Sequence, residues 1–203
     1  MNRSSEEEPL PAVAWYYADA AGRSVAYLVD AIVLTALTFL AAVIISVVFG
    51  PVVRFDVTAE PHVTVDTALA FVNAGLATLI SAVYFIGTWR RFGGTPGQRM
   101  LRMRIWTASD AGAVPVGRGA VRWLFVGLPL TLEAFVSVAS TGRSDTLFLL
   151  ALLVWYAVLI VSTARHPLKQ GLHDRVAGTV VTKVARTAPW VSSPVAGQDA
   201  GVR

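Results

Sequence analysis

At 203 residues, 55% of them hydrophobic and only 15% charged, the chain falls well short of the roughly 25% charged share that covers a soluble globule. Its mean hydropathy of +0.59 assigns the apolar surplus to lipid. The absence of cysteine excludes disulfides, thiolate catalysis and Cys-based metal sites, and a net charge of +4 in such a chain marks a membrane face rather than a nucleic-acid partner.

Residues 1–14 carry Glu6, Glu7 and Glu8 and no early apolar run, so they read as a disordered tail and not as a signal peptide. Four segments then have the ~20 mostly apolar residues that a ~30 Å hydrocarbon core requires. They are 24–49, stopped by Gly50 and Pro51, then 67–89, 120–139 and 146–163. Helices are expected throughout, because an open sheet edge leaves backbone groups unpaired in lipid. Thr141 to Asp145 is read as a short external turn. Residues 186–203, interrupted by Pro189 and Pro194, form a second disordered tail, leaving 15–185 as one transmembrane domain.

Of the 17 basic residues, only Arg54 and Arg143 fall on one side of these spans; the other 15 fall on the opposite side or in the tails. The positive-inside rule puts both termini and the loop from Arg90 to Arg122 in the cytoplasm. Arginine outnumbers lysine 15 to 2, a bias of GC-rich genomes, so the expected location is a bacterial cell (inner) membrane.

Within that loop, Leu101, Met103 and Ile105 alternate with Arg102, Arg104 and Trp106, the period of a strand. Ser109 to Gly112 reads as a turn, Val114-Pro115-Val116 as a short returning strand, and 178–184 as a β-branched partner for the first strand. The expected fold is an all-α membrane protein of four transmembrane helices with a small cytoplasmic β element. Gly93 to Gln98 lacks the Lys and Ser/Thr of a phosphate loop. His62, His166 and His173 lack zinc-ligand spacing, and no nucleophile elbow or triad is visible. No catalysis, metal or cofactor is expected, nor is there an internal repeat.

Asp30 stands six residues into the first helix, where a charge at mid-bilayer costs roughly 2.5–3.5 kcal/mol. Arg23 lies on the same face but leans away from it, since helical side chains tilt toward the N-terminus. Asp30 therefore needs a partner on another helix. It is either an ion or proton site or a buried fastening between helices. Glu133 lies near mid-span in the third helix, four residues after Pro129, which frees the Phe125 carbonyl. It is either a carboxylate beside an interrupted helix, as transporters use, or a surface residue on a short, oblique helix. Asn73, Ser81, Tyr84 and Thr88 form a polar stripe on the second helix beside Gly75 and Ala77, the composition of a helix–helix interface.

Three stretches together resemble the RDD family, named for one Arg and two Asp: Arg23 to Asp30, Gly94 to Ile105 and Lys169 to Val181. By position the eponymous residues are Arg23, Asp30 and Asp174, with Thr95, Gly97, Gln170, Gly171 and His173 in the accompanying loop motifs. Gln98 stands where many members carry Lys, and Glu133 lies outside the family's motifs. The resemblance implies a membrane protein for which transport of unidentified ligands has been suggested, one member being linked to sodium/proton exchange. It also leads to the expectation of an Arg23–Asp174 pair joining the start of the first helix to the end of the fourth, with Asp30 just beneath.

The expected function is transport, moving or responding to cations or protons through intramembrane carboxylates. The alternative is a non-catalytic accessory or scaffold subunit of a larger membrane complex. Four helices barely enclose a path, so the expected partners beside the bilayer are further copies of the chain or other membrane subunits.

Overall fold

The computed structural model describes residues 15–56, 62–139 and 143–184; the two tails, 1–14 and 186–203, lie outside the described residues. The first long helix, α1 (Ala20–Phe49), starts at Asp19, whose carboxylate accepts from the Gly22 amide. Its 30 residues span about 45 Å at 1.5 Å per residue, more than a bilayer core of ~30 Å. Arg23, Ala26, Asp30 and Leu34 form one buried stripe at three- and four-residue spacing, while Leu28, Ile32, Phe39 and Val47 are exposed. An exposed apolar face on a buried polar stripe is the inverse of a soluble helix and suits lipid.

Beyond Gly50 an antiparallel hairpin of β2 (Val53–Asp56) and β3 (His62–Val65) crowns one end of the bundle. No strands were expected in this stretch. The second long helix, α2 (Thr67–Phe92), returns from it, capped by Asp66 accepting from the Leu69 amide at 3.0 Å. It stops at Gly93 in the left-handed region (φ 66°). Gly75, read as part of an interface, has nothing among the described residues within 4 Å of where a Cβ would stand, so it faces away from their helices.

The loop after α2 holds a helical turn, α3 (Pro96–Met100), closed by a capping box between Thr95 and Gln98. Strand β4 (Met103–Thr107) follows, with Met103, Ile105 and Thr107 buried in strict alternation. It pairs antiparallel with β5 (Thr179–Val184), which also pairs with β1 (Trp15–Tyr17), giving the order β1-β5-β4. Val114-Pro115-Val116 does not return as a strand. Pro115 instead occupies the N-cap of α4 (Val116–Val126) and Val114 is buried in the core beneath the sheet. Proline at the start of a helix forfeits no intrahelical bond.

The third span is not one helix. α4 meets α5 (Leu128–Ala139) at a 52° bend. Pro129 lacks the amide that would bond the Phe125 carbonyl, and that carbonyl accepts instead from the indole of Trp155 at 2.9 Å. The next carbonyl, of Val126, accepts from the Tyr156 hydroxyl at 2.9 Å. Both donors lie on α6 (Arg143–Arg165), which thereby satisfies a break that bare lipid could not. Arg143 to Asp145 open α6 and do not form a turn; residues 140–142 lie outside the described residues. A last short helix, α7 (Leu172–Ala177), leads into β5.

Among the described residues, three helices are long and apolar enough to cross a membrane, and the bent α4–α5 pair makes a fourth crossing if it counts as one span. The chain is a multi-pass, mostly helical membrane protein with small antiparallel sheets. The three-stranded sheet packs on one end of the bundle, where Met103, Ile105 and Val181 meet Leu34, Phe85 and Trp89.

Candidate functional site

The two aspartates of the motif are each fully buried and each gather donors from several elements. Asp30 accepts from the Tyr84 hydroxyl of α2 at 2.8 Å, the Thr95 hydroxyl at 2.5 Å and the Gly97 amide at 2.9 Å. It thus fastens α1 to α2 and to the loop that follows α2. Gly97 is required here: a Cβ would collide with the Ala26 carbonyl of α1, so only glycine lets α3 approach closely enough for its amide to reach Asp30. Gln98 holds the loop from beneath, its side-chain oxygen accepting from the Thr95 amide at 3.0 Å and the Trp89 indole at 3.2 Å. A lysine ammonium, which only donates, could not take that position's role.

Asp174 is the hub of the sheet end. As the third residue of α7 it reaches back to the Gly171 amide at 3.1 Å, stopping the start of its own helix. One carboxylate oxygen accepts from Arg23 Nη1 at 2.5 Å and the other from Arg122 Nη1. The Arg23–Asp174 pair thus joins α1 to α7, and Arg122 adds α4. Arg23 Nε donates to the Ala18 carbonyl at 3.0 Å, and Arg122 also donates to the Thr179 hydroxyl at 3.0 Å and the Tyr27 hydroxyl at 3.1 Å. The Arg122 guanidinium lies over the Trp89 ring, 5.1 Å from its centroid. Gly171 is constrained too, by side chains rather than backbone, since a Cβ would strike the Thr163 hydroxyl and stand 2.7 Å from His173 Cε1. Gln170 donates to the Thr179 carbonyl at 3.1 Å and anchors the turn.

His173 sits beside this hub, 3.5 Å from Asp174 through Nε2. Burial first, then the charges of Arg122 and Arg23, hold its pKa well below the ordinary histidine value, so the imidazole is neutral at pH 7. Among the described residues, both its ring nitrogens and Arg23 Nη2 are buried without a hydrogen-bond partner.

Beside them lies a cavity of about 700 Å³ among α1, α2, the α4–α5 bend, α6 and α7. Arg23, His173 and Thr163 line one end. Along α1 the lining runs on to Thr38, fifteen residues from Arg23, or about 22 Å. The wall is mostly apolar, with Leu34, Phe85, Leu130, Leu159 and Ile160, and Thr35, Thr38, Ser81, Thr131 and Tyr156 stand among them. Among the described residues, Glu133 is the acidic side chain on that lining. It lies two residues before Phe135, whose ring meets that of Phe71 near the hairpin end of α2. Asp30 is not on the cavity wall, so the two carboxylates singled out in the spans have different surroundings. The described residues contain no cluster of metal-binding type.

Arg122 and Tyr27 escaped sequence reasoning. Arg122 was counted among loop arginines, yet it is fully buried. Its signal was position: it falls four residues before Val126 on the buried face of α4, where an arginine needs a carboxylate. Thr95, Gly97, Gln170, Gly171 and His173 all lie within these two clusters.

The model of the RDD family matches residues 17–178. No curated protein and no solved structure matches the chain.

Proposed function

The chain belongs to the RDD family, and on that premise we propose that it is a small polytopic membrane protein of transport type. It crosses a bacterial cell membrane four times, with α4–α5 as one broken span and both termini and the three-stranded sheet in the cytoplasm. The observation that supports this reading best is the cavity, a half-open cleft whose lining runs from Arg23 and His173 to Glu133. A half-buried carboxylate on such a wall suits a group that takes up and releases a proton or cation. Asp30, with three donors and no face on the cavity, serves as a fastening.

The test is ion flux in proteoliposomes under an imposed pH gradient. Wild type carries flux; Glu133→Gln inserts and folds but loses it. Asp30→Asn loses folded yield instead. Absence of flux in wild type for protons, sodium and potassium alike sinks the ion-coupled reading. A second reading, an accessory subunit, is favoured by the outward face of α2, where Gly75, Leu79, Val83 and Gly87 are exposed. This exposed face, with glycine near each end, is available to a neighbouring helix, and mass measurement in mild detergent distinguishes a stoichiometric partner or homo-oligomer from a lone chain.

A further inference from the structure

We propose that the turn joining α2 to β4 holds one anionic phospholipid of the leaflet at the sheet end, its phosphate among Arg91, Arg99 and Arg104 and its acyl chains beside Phe92 and Met100. The site stands apart from the cavity and does not depend on ion transport.

Three guanidiniums gather at the end of α2. Those of Arg91 and Arg99 lie over the Phe92 ring, 5.8 and 5.3 Å from its centroid. That of Arg104 lies over the Trp106 ring at 4.8 Å and reaches back to Gly93, its Nε 3.4 Å from where a Cβ would stand. Stacking covers a face of a guanidinium and leaves its N–H edges free. Among the described residues, none of the three side chains donates a hydrogen bond or joins an ion pair. The described carboxylates at this end are engaged elsewhere. Asp19 caps α1, Asp30 and Asp174 hold the two clusters, and Asp110 accepts from Thr107, Ser109 and Gly112 within its own turn. The C-terminal end of α2 accounts for Arg91 alone, because Arg99 and Arg104 come from α3 and β4. Three like charges without a counter-charge call for an anion, and a phosphate suits the arginine fork.

Depth selects a lipid over a free phosphate. The 30 residues of α1 exceed a ~30 Å hydrocarbon core by about 15 Å, or about ten residues. However that surplus is shared between its ends, the core boundary at the sheet end falls between Ala20 and about Asp30. Gly97 of α3 lies against the Ala26 carbonyl and donates to Asp30, so α3 is level with that boundary. Met100, which ends α3, is 72% exposed there, and Phe92 is 44% exposed. Exposed apolar side chains beside unpaired arginines, at the depth where head groups meet acyl chains, match both halves of an anionic phospholipid.

Bound lipid is counted by mass measurement of the full chain in mild detergent, given equal amounts of phosphatidylglycerol and phosphatidylcholine. Wild type retains one phosphatidylglycerol and prefers it roughly tenfold or more. Because the full chain carries Glu6, Glu7 and Glu8, that retention also shows that its own acidic tail does not fill the cluster. Arg99→Gln and Arg104→Gln each lower the preference about fivefold, the share of one basic residue at an anionic surface. Phe92→Leu keeps every charge and lowers it too, by releasing Arg91 and Arg99. Arg118, which donates to the Gly178 carbonyl, supplies the control: Arg118→Gln removes an equal charge and leaves the preference unchanged. Equal losses from Arg99→Gln and Arg118→Gln, or wild-type preference in Phe92→Leu, mean diffuse attraction and overturn the site. Glycerol phosphate displacing the lipid at equal concentration makes the cluster a free-phosphate site and overturns the lipid. The chain lacks cysteine, so Met100→Cys carries a single bimane label, which lipids brominated on their acyl chains quench in a bilayer. An unquenched label puts α3 outside the membrane and overturns the proposal as well. Lipid selectivity without ion flux leaves this inference standing and removes the ion-coupled reading, and flux without lipid selectivity does the reverse.

Discussion

Arg23 and Asp174, 151 positions apart in the chain, meet at 2.5 Å with both side chains buried. The contact joins α1 to α7, yet Asp174 also holds Arg122, so its two partners are not equivalent to it. Removing Asp174 strands two buried arginines, whereas removing Arg23 leaves a balanced Arg122–Asp174 pair. Asp174→Asn is therefore expected to destabilise the fold by about 3–5 kcal/mol, the usual result of leaving a buried charge uncompensated. Arg23→Gln is expected to cost clearly less. Thermal unfolding of both variants in the same detergent checks the order; equal losses would show that Arg23 carries the hub alone.

Glycines separate by what surrounds them. At Gly97 and Gly171 a Cβ overlaps the Ala26 carbonyl and the Thr163 hydroxyl, whereas at Gly75 and Gly87 it meets nothing within 4 Å. Gly97→Ala and Gly171→Ala should each destabilise by about 1–3 kcal/mol through overpacking. Gly75→Ala should stabilise α2 slightly, since alanine exceeds glycine in helices by roughly 1 kcal/mol. Unfolding midpoints of the three variants measure this, and a neutral Gly97→Ala would mean that α3 does not approach α1 as closely as described.

How much of this was legible in the sequence follows from which forces act locally. The long helices were visible because lipid demands unbroken apolar runs, and β4 because its alternation survives in a polar loop. The need of Asp30 for a cross-helix partner followed from the cost of a bare charge, and Tyr84 was already visible as part of the stripe on α2. The hub was less legible. Arg122 looks like any loop arginine until α4 turns it inward, and nothing local marks the Trp15–Tyr17 strand, which exists only because β5 offers it an edge. The 52° bend was half visible: Pro129 announced a lost hydrogen bond, but the indole that answers it lies 30 residues beyond Phe125.

The stability of the sheet end should depend on pH through His173. Its pKa in the folded chain lies well below the ordinary 6.5, through burial and the charges of Arg122 and Arg23. Below pH 6.5 the unfolded chain binds a proton on His173 that the folded chain refuses, so stability falls as pH drops through that window. Above it the two states bind alike and the effect vanishes. Unfolding temperatures recorded from pH 7.5 down to about 5 should decline in wild type and decline less in His173→Phe. Parallel curves for the two proteins would remove His173 as the source.

The α4–α5 bend yields a coupled prediction. The Phe125 carbonyl is free because Pro129 has no amide, and Trp155 answers it at 2.9 Å. Trp155→Phe keeps the stacking on Phe125, whose ring centroid lies 5.8 Å away, but removes the donor. It should cost about 1 kcal/mol, the scale of one hydrogen bond inside a membrane protein. Pro129→Ala restores an amide to the helix, so in that background the same Trp155→Phe change should cost little. The four unfolding free energies form a double-mutant cycle. Additive losses would mean that the indole and the proline do not act on the same carbonyl, and that the bend is held by the Tyr156–Val126 contact and the packing of α5 on α2 instead.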